Sequence, residues 1–401
     1  MRIDRLRIGS FRNIGAAELA LSQVNLLVGT NGSGKTSVLE AAHFLGYGRS
    51  FRTNHPDHVI HNGSESVSVH GFVGREPKSD SVVSVGVSRA RSGNLEARIQ
   101  GRQVRNTAEL ARTLPLLLIN SGSFALFEGG PRRRRQYLDW CAFHVEPLFH
   151  SSWLEVHASL AQRNALLRQG RISFAQLDVW DGRFASAAER LDEYRTKCCE
   201  TLSLKCKAAT ASLVPYLELD FSYYRGWERG RDLRDVLADQ RAADIERGHT
   251  GAGPQRADFR VRMQGVGAAE ILSRGQQKLA ICAMVIAQGE VFSEVLGQAP
   301  AFLIDDLPAE LDRFHRKELC ELLASLKGQI LVSCIEENDL AGCWDSLPSE
   351  NVRVFHVEQG RVTPEYPNEN LISNEPQPSG SPTLAEARIE PRRPRGADEV
   401  C

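Results

Sequence analysis

The sequence lacks the features that mark membrane, secreted and zinc-ribbon proteins. Its longest run of apolar residues, Leu279 to Ala287, has nine members, whereas a membrane-spanning helix needs about 20. None of its nine cysteines forms a CxxC pair, which argues against a zinc ribbon or a thioredoxin-like site. The first residues are charged and form no apolar signal segment. We therefore expect a cytoplasmic protein with free thiols and no membrane contact.

An excess of charge of one sign is also missing. The 401 residues include 49 Lys and Arg against 50 Asp and Glu, a net charge of -1. This balance excludes a uniformly basic nucleic-acid coat but not a local basic surface. Hydrophobic residues make up 42% of the chain, which is enough for a large core, and the length suggests two or three domains.

Changes of pattern along the chain predict four regions. Residues 1–120 begin as strand, loop and helix and continue with short period-two apolar runs from Val67 to Ile99, which indicate an antiparallel β meander. Residues 121–250 form a helical arm domain, with an apolar stripe at helical spacing from Leu177 to Tyr194. Residues 251–363 return to apolar strands of the parallel type. Residues 364–401 are rich in proline and poor in large apolar residues, which predicts a disordered tail.

A phosphate-binding loop follows the first apolar run. Residues 29–36 fit the pattern GxxxxGK[ST] between a short strand and a helix. Its glycines allow the backbone to wrap around phosphate oxygens, which the successive N–H groups bind. Lys35 adds a positive charge for the β- and γ-phosphates, and Thr36 offers a hydroxyl to Mg²⁺. The predicted ATP-binding residues are Gly29, Thr30, Asn31, Gly32, Ser33, Gly34, Lys35 and Thr36.

Two further motifs follow in the order found in ABC ATPases. Leu272 to Gln276 place a Ser and a Gly at a helix start, as the ABC signature does, although this pattern alone is also an ordinary helix cap. An apolar strand then ends in Asp305 and Asp306, and a loop ending in Glu310, Leu311 and Asp312 follows. Order and spacing together predict an α/β fold, an ABC-type P-loop NTPase head with an antiparallel β lobe and an inserted helical arm domain.

The motifs assign roles by position. Asp305 is expected to hold Mg²⁺ together with Thr36. Asp306 is expected to orient and deprotonate the attacking water, with a structural carboxylate as the alternative. In ABC proteins the signature of one subunit closes over the P-loop of another, so we expect ATP binding to assemble a head-to-tail homodimer that hydrolysis releases. The further predicted nucleotide-binding residues are Arg12, Ser273, Gly275, Gln276 and Asp312.

Seven separated stretches resemble the RecF family of bacterial DNA replication and repair proteins over about residues 1–363. They are Phe11 to Asn13, the P-loop, Gly46 to Arg52, Arg133 to Trp140, Gly253 to Asp258, Leu272 to Gln276, and Asp305 to Asp312. Arg274 within the signature and the double Asp are typical of that family. Gln255 and the pair Asn120-Ser121 depart from its pattern.

The resemblance implies a function. RecF-like proteins bind single-stranded and gapped duplex DNA in an ATP-dependent way and help to load RecA with RecO and RecR, in replication, recombinational repair and the SOS response. Their slow, DNA-stimulated ATP hydrolysis serves as a switch. The resemblance leaves the γ-phosphate sensor unassigned, because Ser333 to Glu336 contain no histidine. Asn120 is a candidate for the Mg²⁺-sensing position.

Two basic clusters are candidate DNA contacts. Arg49 and Arg52 follow the P-loop helix and could reach either nucleotide or DNA. The second cluster lies at the start of a helix, where the helix dipole disfavours cations. The alternative to a DNA contact is that these arginines form a solvated face or pack within the fold. Aromatic residues are only 7% of the chain, which favours contacts to the DNA backbone over base stacking. The second cluster consists of Arg132, Arg133, Arg134 and Arg135.

Two other classes of ATPase share these motifs. The motor subunit of an ABC transporter would carry a much shorter segment than the one between Thr36 and Leu272. An SMC-type structural clamp would carry hundreds of heptad residues, where this arm has roughly three heptads. Stimulation of ATP turnover by DNA distinguishes the repair protein from the transport motor.

Overall fold

The structure is a computed structural model that describes residues 1–74, 82–169, 173–307 and 311–365. The predicted tail from residue 366 onward, and Glu310 of the predicted loop, lie outside these residues. The strands are β1 Arg2–Phe11, β2 Ile14–Ala20, β3 Val24–Val28, β4 Ser66–Gly74, β5 Val83–Ala90, β6 Leu95–Ile99, β7 Arg102–Gln103, β8 Leu116–Ile119, β9 Asp220–Tyr224, β10 Asp258–Met263, β11 Val266–Gly267, β12 Ala301–Ile304, β13 Ile330–Cys334, β14 Val352–Glu358 and β15 Arg361–Pro364. The helices are α1 Lys35–Tyr47, α2 Thr107–Thr113, α3 Ala125–Glu128, α4 Pro131–Val145, α5 Phe149–Leu167, α6 Phe174–Leu213, α7 Leu233–Asp239, α8 Arg241–Arg247, α9 Ala268–Ile271, α10 Arg274–Leu296 and α11 Arg313–Ser325.

A six-stranded sheet carries the predicted motifs. Its order is β15-β14-β3-β13-β12-β8, and all neighbours are parallel except β14 and β15. Strands β3, β12 and β13 are buried along their whole length, which explains their continuous apolar sequences. Strand β13 lies between the P-loop strand β3 and the acid-bearing strand β12. The carboxyl ends of these three strands therefore meet at one edge of the sheet.

The predicted β meander belongs to a second, antiparallel sheet. Its order is β2-β1-β4-β5-β6-β7. The predicted meander, β4 to β7, therefore extends a hairpin of β1 and β2 that was not predicted. The inner face of this sheet packs on helix α1 and on one face of the parallel sheet, in a core that includes Leu6, Val69, Phe44 and Leu303. The antiparallel lobe therefore covers the helix that follows the P-loop.

Helices α4, α5 and α6 form most of the predicted arm. The 40 residues of α6 bury the apolar stripe predicted from Leu177 onward, including Phe184 and Leu191. The same core includes Met284 of α10 and Ile304 of the parallel sheet, so apolar contacts run without a break from the arm helices into the head. A three-stranded sheet, β11-β10-β9, was not predicted. The predicted domain boundaries remain predictions.

Helix α10 is the one helix within the described residues that is long and apolar enough to cross a membrane by length and composition. Of its most apolar window, 72% is buried inside the protein. Its polar groups are tied to α4, because the Tyr137 hydroxyl donates to the carbonyl of Met284 at 2.7 Å and Gln288 donates to the carbonyl of Tyr137 at 2.9 Å. The protein core thus accounts for the apolar character of α10.

Buried ion pairs join the helices of the arm. The fully buried Arg163 of α5 donates to Asp181 of α6 at 2.6 Å and to Asp244 of α8 at 2.8 Å. On the same α6, Arg195 forms a two-pronged pair with Asp139 of α4, at 2.7 and 2.8 Å. Buried charges are stable only when paired in this way, so these pairs fix the relative positions of the helices.

Candidate nucleotide-binding site

The P-loop runs from the end of β3 into the start of α1. Gly32 and Gly34 adopt φ angles of 80° and 123°, a region that favours glycine. A Cβ atom on Gly34 would lie 2.9 Å from the side-chain nitrogen of Asn13. Asn13 supports the loop from outside, since its amide donates to the carbonyl of Ser33 at 3.0 Å and its carbonyl oxygen accepts from Ser37 at 2.8 Å.

Two buried polar groups inside the loop fit an anionic ligand. The Nζ atom of Lys35 donates to the carbonyls of Gly29 and Thr30, at 2.6 and 2.9 Å, and the residue is only 7% exposed. The hydroxyl of Ser33 is buried and has no hydrogen-bond partner among the described residues. Among the described residues Lys35 has no carboxylate partner, and both such a buried cation and an unpaired hydroxyl cost free energy. Phosphate oxygens would satisfy both groups.

The predicted acids lie directly beside the loop. Thr36 donates through its hydroxyl to both carboxylate oxygens of Asp305, at 2.9 and 3.2 Å. Ser333, at the end of β13, donates to Asp305 at 2.9 Å and accepts the backbone N–H of Asp306 at 2.7 Å. Hydroxyl and carboxylate oxygens are the ligands that Mg²⁺ prefers. The structure thus brings Thr36 and Asp305 together and adds Ser333, a residue with no predicted role.

Asp306 has an unusual backbone conformation. Its φ angle is 55°, a left-handed value that few residues other than glycine adopt. Such strain persists only where the surrounding structure fixes it, and here the hydrogen bond from the Asp306 N–H to Ser333 does so. The strained turn places both Asp305 and Asp306 on the same cavity.

The loop and the acids line a cavity of about 800 Å³, a size suited to a nucleotide. The predicted residues on its wall are Arg12, Asn31, Gly32, Gly34, Lys35, Thr36, Arg52, Asp305 and Asp306. The residues on its wall for which the sequence predicted no nucleotide contact are Asn13, Ser37, His58, Ile60, His61, Asn62, Ser121 and Ser333. Most of them lie outside the P-loop, the signature and the acid-bearing segment, so those three motifs could not have identified them.

The candidate Mg²⁺-sensing residue lies beside the cavity wall. The side-chain oxygen of Asn120 accepts from the Ser123 hydroxyl at 3.3 Å and caps a short turn. Ser121 lines the cavity, whereas Asn120 does not. The position of Asn120 therefore gives no support to a sensing role for its side chain.

The signature residues open a helix that does not point into this cavity. Ser273 caps α10 in a reciprocal pair with Gln276, in which the Ser273 N–H donates to the Gln276 side chain at 2.9 Å and the Gln276 N–H donates to the Ser273 hydroxyl at 3.3 Å. Ser273, Arg274 and Gly275 are exposed, and none of the signature residues lines the cavity. Arg274 pairs with Glu128. The amino end of this 23-residue helix is thus exposed on the surface of the chain.

Asp312 performs a local structural task. Its carboxylate caps α11 by accepting the N–H groups of Phe314 and His315, at 3.0 and 3.1 Å, and it contacts the His315 ring at 2.6 Å. Desolvation opposes ionisation, but the hydrogen bonds from His315 and Phe314 outweigh it and lower the pKa of Asp312. Asp312 does not line the cavity of its own chain.

The four arginines at 132–135 have two different environments. The first two are exposed. Arg134 forms a two-pronged pair with Asp258, at 2.8 and 3.0 Å, and Arg135 donates to the carbonyl of Ala257 at 2.6 Å. The second pair therefore holds α4 against the start of β10, as the packing alternative predicted. In the first cluster, Arg49 is exposed and Arg52 lines the cavity.

Comparisons with known proteins give the family. The model of the RecF/RecN/SMC N terminal domain matches residues 2–363. The DNA replication and repair protein RecF of Pseudomonas entomophila is 44% identical over 364 residues, which cover 90% of this chain and 98% of that protein. The RecF protein of Pseudomonas putida strain GB-1 matches with the same identity and coverage.

Solved structures show the same fold. The recombination mediator protein RecF with ATP, of the RecFOR pathway, matches with a TM-score of 0.80 at 23% identity, over 91% of this chain and 97% of that chain. An SMC head bound to the C-winged helix domain of ScpA matches with a TM-score of 0.57 at 16% identity, over 91% and 97% of the two chains. These likenesses confirm the predicted ABC-type head. Because RecF proteins of two Pseudomonas species are 44% identical to this chain over 98% of their own length, the chain belongs to the RecF family.

Proposed function

We propose that this protein is an ATP-dependent DNA-binding protein of DNA replication and repair. The observation that carries the proposal is the cluster of Lys35, Thr36, Asp305, Asp306 and Ser333 around one cavity of nucleotide size. RecF relatives that share 44% of the sequence are named for replication and repair, and a RecF of the same fold has been solved with ATP.

Each residue of the cluster has a task in this proposal. The P-loop N–H groups and Lys35 bind the phosphates. Thr36 and Asp305 would hold Mg²⁺, which would supply positive charge against the phosphate oxygens. Asp306 accepts the proton of the attacking water. Ser333 holds the two acids in register. The expected hydrolysis is slow and DNA-stimulated, so it acts as a switch and not as a source of work.

The arrangement of the motifs supports a dimer. The cavity lacks the signature residues, and the signature helix begins at exposed residues of the same chain. A second copy placed head to tail would bring Ser273, Gly275 and Gln276 against the phosphates, with Asp312 nearby. ATP would then join the two copies, and hydrolysis would separate them, because only the triphosphate reaches both surfaces.

The proposed DNA ligand is single-stranded or gapped duplex DNA, bound through its phosphates. Arg49, Arg132 and Arg133 are exposed cations available for such contacts, whereas Arg134 and Arg135 are engaged within the fold. The likeness to a RecF of the RecFOR pathway supports RecO and RecR as partners in loading RecA, including in the SOS response. The cytoplasm is the proposed location.

Sedimentation tests the ATP-dependent dimer. The Asp306→Asn variant keeps the cavity but lacks the proposed base, so with ATP and Mg²⁺ it should sediment as a dimer and remain one. Adding Lys35→Ala to the same variant should give a monomer under the same conditions. A monomer of the single variant that nevertheless binds ATP would contradict the two-copy site.

ATP turnover on different DNAs tests the ligand. Gapped DNA should stimulate hydrolysis more than blunt duplex, and an Arg132→Ala/Arg133→Ala variant should need more DNA for half-maximal stimulation and depend less steeply on salt. The matched control replaces Arg229 and Arg234, two arginines outside both clusters. Equal turnover with and without every DNA tested would refute the proposed DNA ligand.

A further inference from the structure

A fully buried carboxylate lies behind the nucleotide cavity. Glu40, on α1, has no solvent-exposed surface. Its two oxygens accept a two-pronged hydrogen bond from Arg12, with Nε at 3.0 Å and Nη2 at 2.7 Å. It also accepts from the hydroxyl of Ser50, and Arg52 lies 3.8 Å away. A charge this deeply buried is tolerated only when its partners are held in place.

The geometry leaves one edge of the arginine available. A guanidinium has five N–H donors in a rigid fork, and Glu40 occupies the Nε and Nη2 edge. No described residue accepts a hydrogen bond from Nη1 of Arg12, and Arg12 lines the cavity. A cation that faces a phosphate site with a free donor is suited to a second, charge-assisted bond.

The backbone of Arg12 is fixed as well. Its φ angle is 53°, its N–H donates to the carbonyl of Val59 at 2.8 Å, and its own carbonyl is 2.7 Å from Nδ1 of His61. Strain of this kind is maintained by the surrounding contacts. Both the side chain and the backbone of Arg12 are therefore set before any ligand arrives.

We propose that Glu40 is a positioning residue for nucleotide binding, which holds Arg12 by Nε and Nη2 so that Nη1 is presented to a phosphate of the nucleotide. This inference rests on the proposed function, since it deepens the same site. Ser50 holds the carboxylate and fastens the following turn, because its oxygen accepts the N–H groups of Arg52 and Thr53 at 2.9 and 3.0 Å. Arg52 is half exposed at 3.8 Å and contributes little to the charge balance.

A double-mutant cycle tests this role. The variants are Arg12→Gln, Glu40→Gln and the two combined, and the measurement is the dissociation constant of ATP with Mg²⁺. Arg12→Gln should weaken binding about tenfold to a hundredfold, the loss of one charge-assisted bond. Glu40→Gln has nearly the shape of the native side chain and should weaken binding at least about fivefold, because an unrestrained arginine is less well oriented. Since Glu40 acts through Arg12, the double variant should match Arg12→Gln within about twofold.

Two results would overturn the proposal. One is an additive cycle, in which Glu40→Gln weakens binding by the same factor with or without Arg12, as a purely structural role would. The other is an affinity of Glu40→Gln within about twofold of the unmodified protein. Asp139→Asn is the matched control, because it breaks another two-pronged pair with an arginine away from the cavity and should leave ATP affinity unchanged.

The same titrations separate this inference from the proposed function. If the unmodified protein and Lys35→Ala bind ATP equally weakly, the nucleotide site itself is refuted. If Lys35→Ala abolishes binding while the cycle is additive, only the role of Glu40 fails. Melting temperatures measured without nucleotide show which variants remain folded. Glu40→Asp keeps the charge on a shorter side chain, so it should bind ATP more tightly than Glu40→Gln does, but only if Arg12 is present.

Discussion

Replacing Ser333 with alanine removes one hydroxyl that joins the two acids of the site. The residue is fully buried at the end of β13. Its oxygen donates to Asp305 at 2.9 Å and accepts the N–H of Asp306 at 2.7 Å. Alanine fills nearly the same space, so the change tests the hydrogen bonds and leaves the packing of the sheet intact.

The expected effects follow from the two lost bonds. The N–H of Asp306 is left without its partner, which costs about 1–3 kcal/mol in the free energy of unfolding. Asp305 keeps its contact with Thr36 but loses the hydrogen bond that Ser333 donates to its Oδ1 atom. Removing an outer partner of a metal-binding carboxylate typically lowers metal affinity about 10- to 100-fold. The Mg²⁺ concentration that gives half-maximal ATP binding should rise by that factor.

A Mg²⁺ titration of ATP binding measures this effect. Ser159→Ala is the matched control, since it removes another buried serine hydroxyl, which donates to the carbonyl of Glu155 at 2.7 Å within helix α5. The control should leave the Mg²⁺ dependence unchanged. If the folded Ser333→Ala variant reaches half-maximal ATP binding at the same Mg²⁺ concentration as the unmodified protein, within about twofold, the proposed role of Ser333 in orienting Asp305 is refuted.

Two further predictions concern buried charges in the arm. Arg163→Leu leaves the carboxylates of Asp181 and Asp244 without a main partner and should lower the free energy of unfolding in urea by about 3 kcal/mol. Arg190→Leu, which breaks an exposed ion pair with Glu155, should lower it by less than about 1 kcal/mol. Equal losses would contradict the stabilising role of the buried Arg163 pairs. Burial lowers the pKa of His144 to about 3, below the value near 6.5 of an unfolded chain, so the stability due to the neutral ring is present above pH 6.5 and is lost as the pH falls toward 3. His144→Phe should therefore abolish about 2 kcal/mol of the stability loss between pH 6.5 and pH 5, and an unchanged slope of unfolding free energy against pH would show that His144 is not the titrating group.

The parts of the site that lie within one short segment were predictable. The P-loop is eight consecutive residues whose glycines, lysine and threonine each follow from local backbone geometry. The capping pair of Ser273 and Gln276 is equally local, because a helix end must satisfy its own N–H groups. The antiparallel lobe and the arm helices followed from periods of two and 3.6 residues.

The supporting residues could not be predicted in this way. Asn13 reaches the P-loop from the β1-β2 hairpin. Glu40 is a fully buried acid on helix α1, and Ser333 is a hydroxyl residue near the carboxyl end of the apolar strand β13. Each acquires its role from a neighbour that the sheet order supplies. The four arginines at 132–135 look alike in the sequence, and only the positions of the Ala257 carbonyl and the Asp258 carboxylate separate the engaged pair from the exposed pair.

The sequence by itself determined the chemistry proposed for this protein: which segment is predicted to bind phosphate, which strand carries the acids and which helix start bears the signature-like residues. It could do so because those functions depend on backbone groups and side chains at fixed short spacings. Tertiary structure alone decided which residues hold that chemistry in place. Strand β13 lies between β3 and β12, and this order puts the Ser333 hydroxyl within hydrogen-bond distance of the Asp305 carboxylate and the Asp306 N–H. Such contacts join residues that are 28 positions apart for Ser333 and Asp305 and 269 positions apart for Thr36 and Asp305. They exist only because burial of the apolar strands places β3, β13 and β12 side by side.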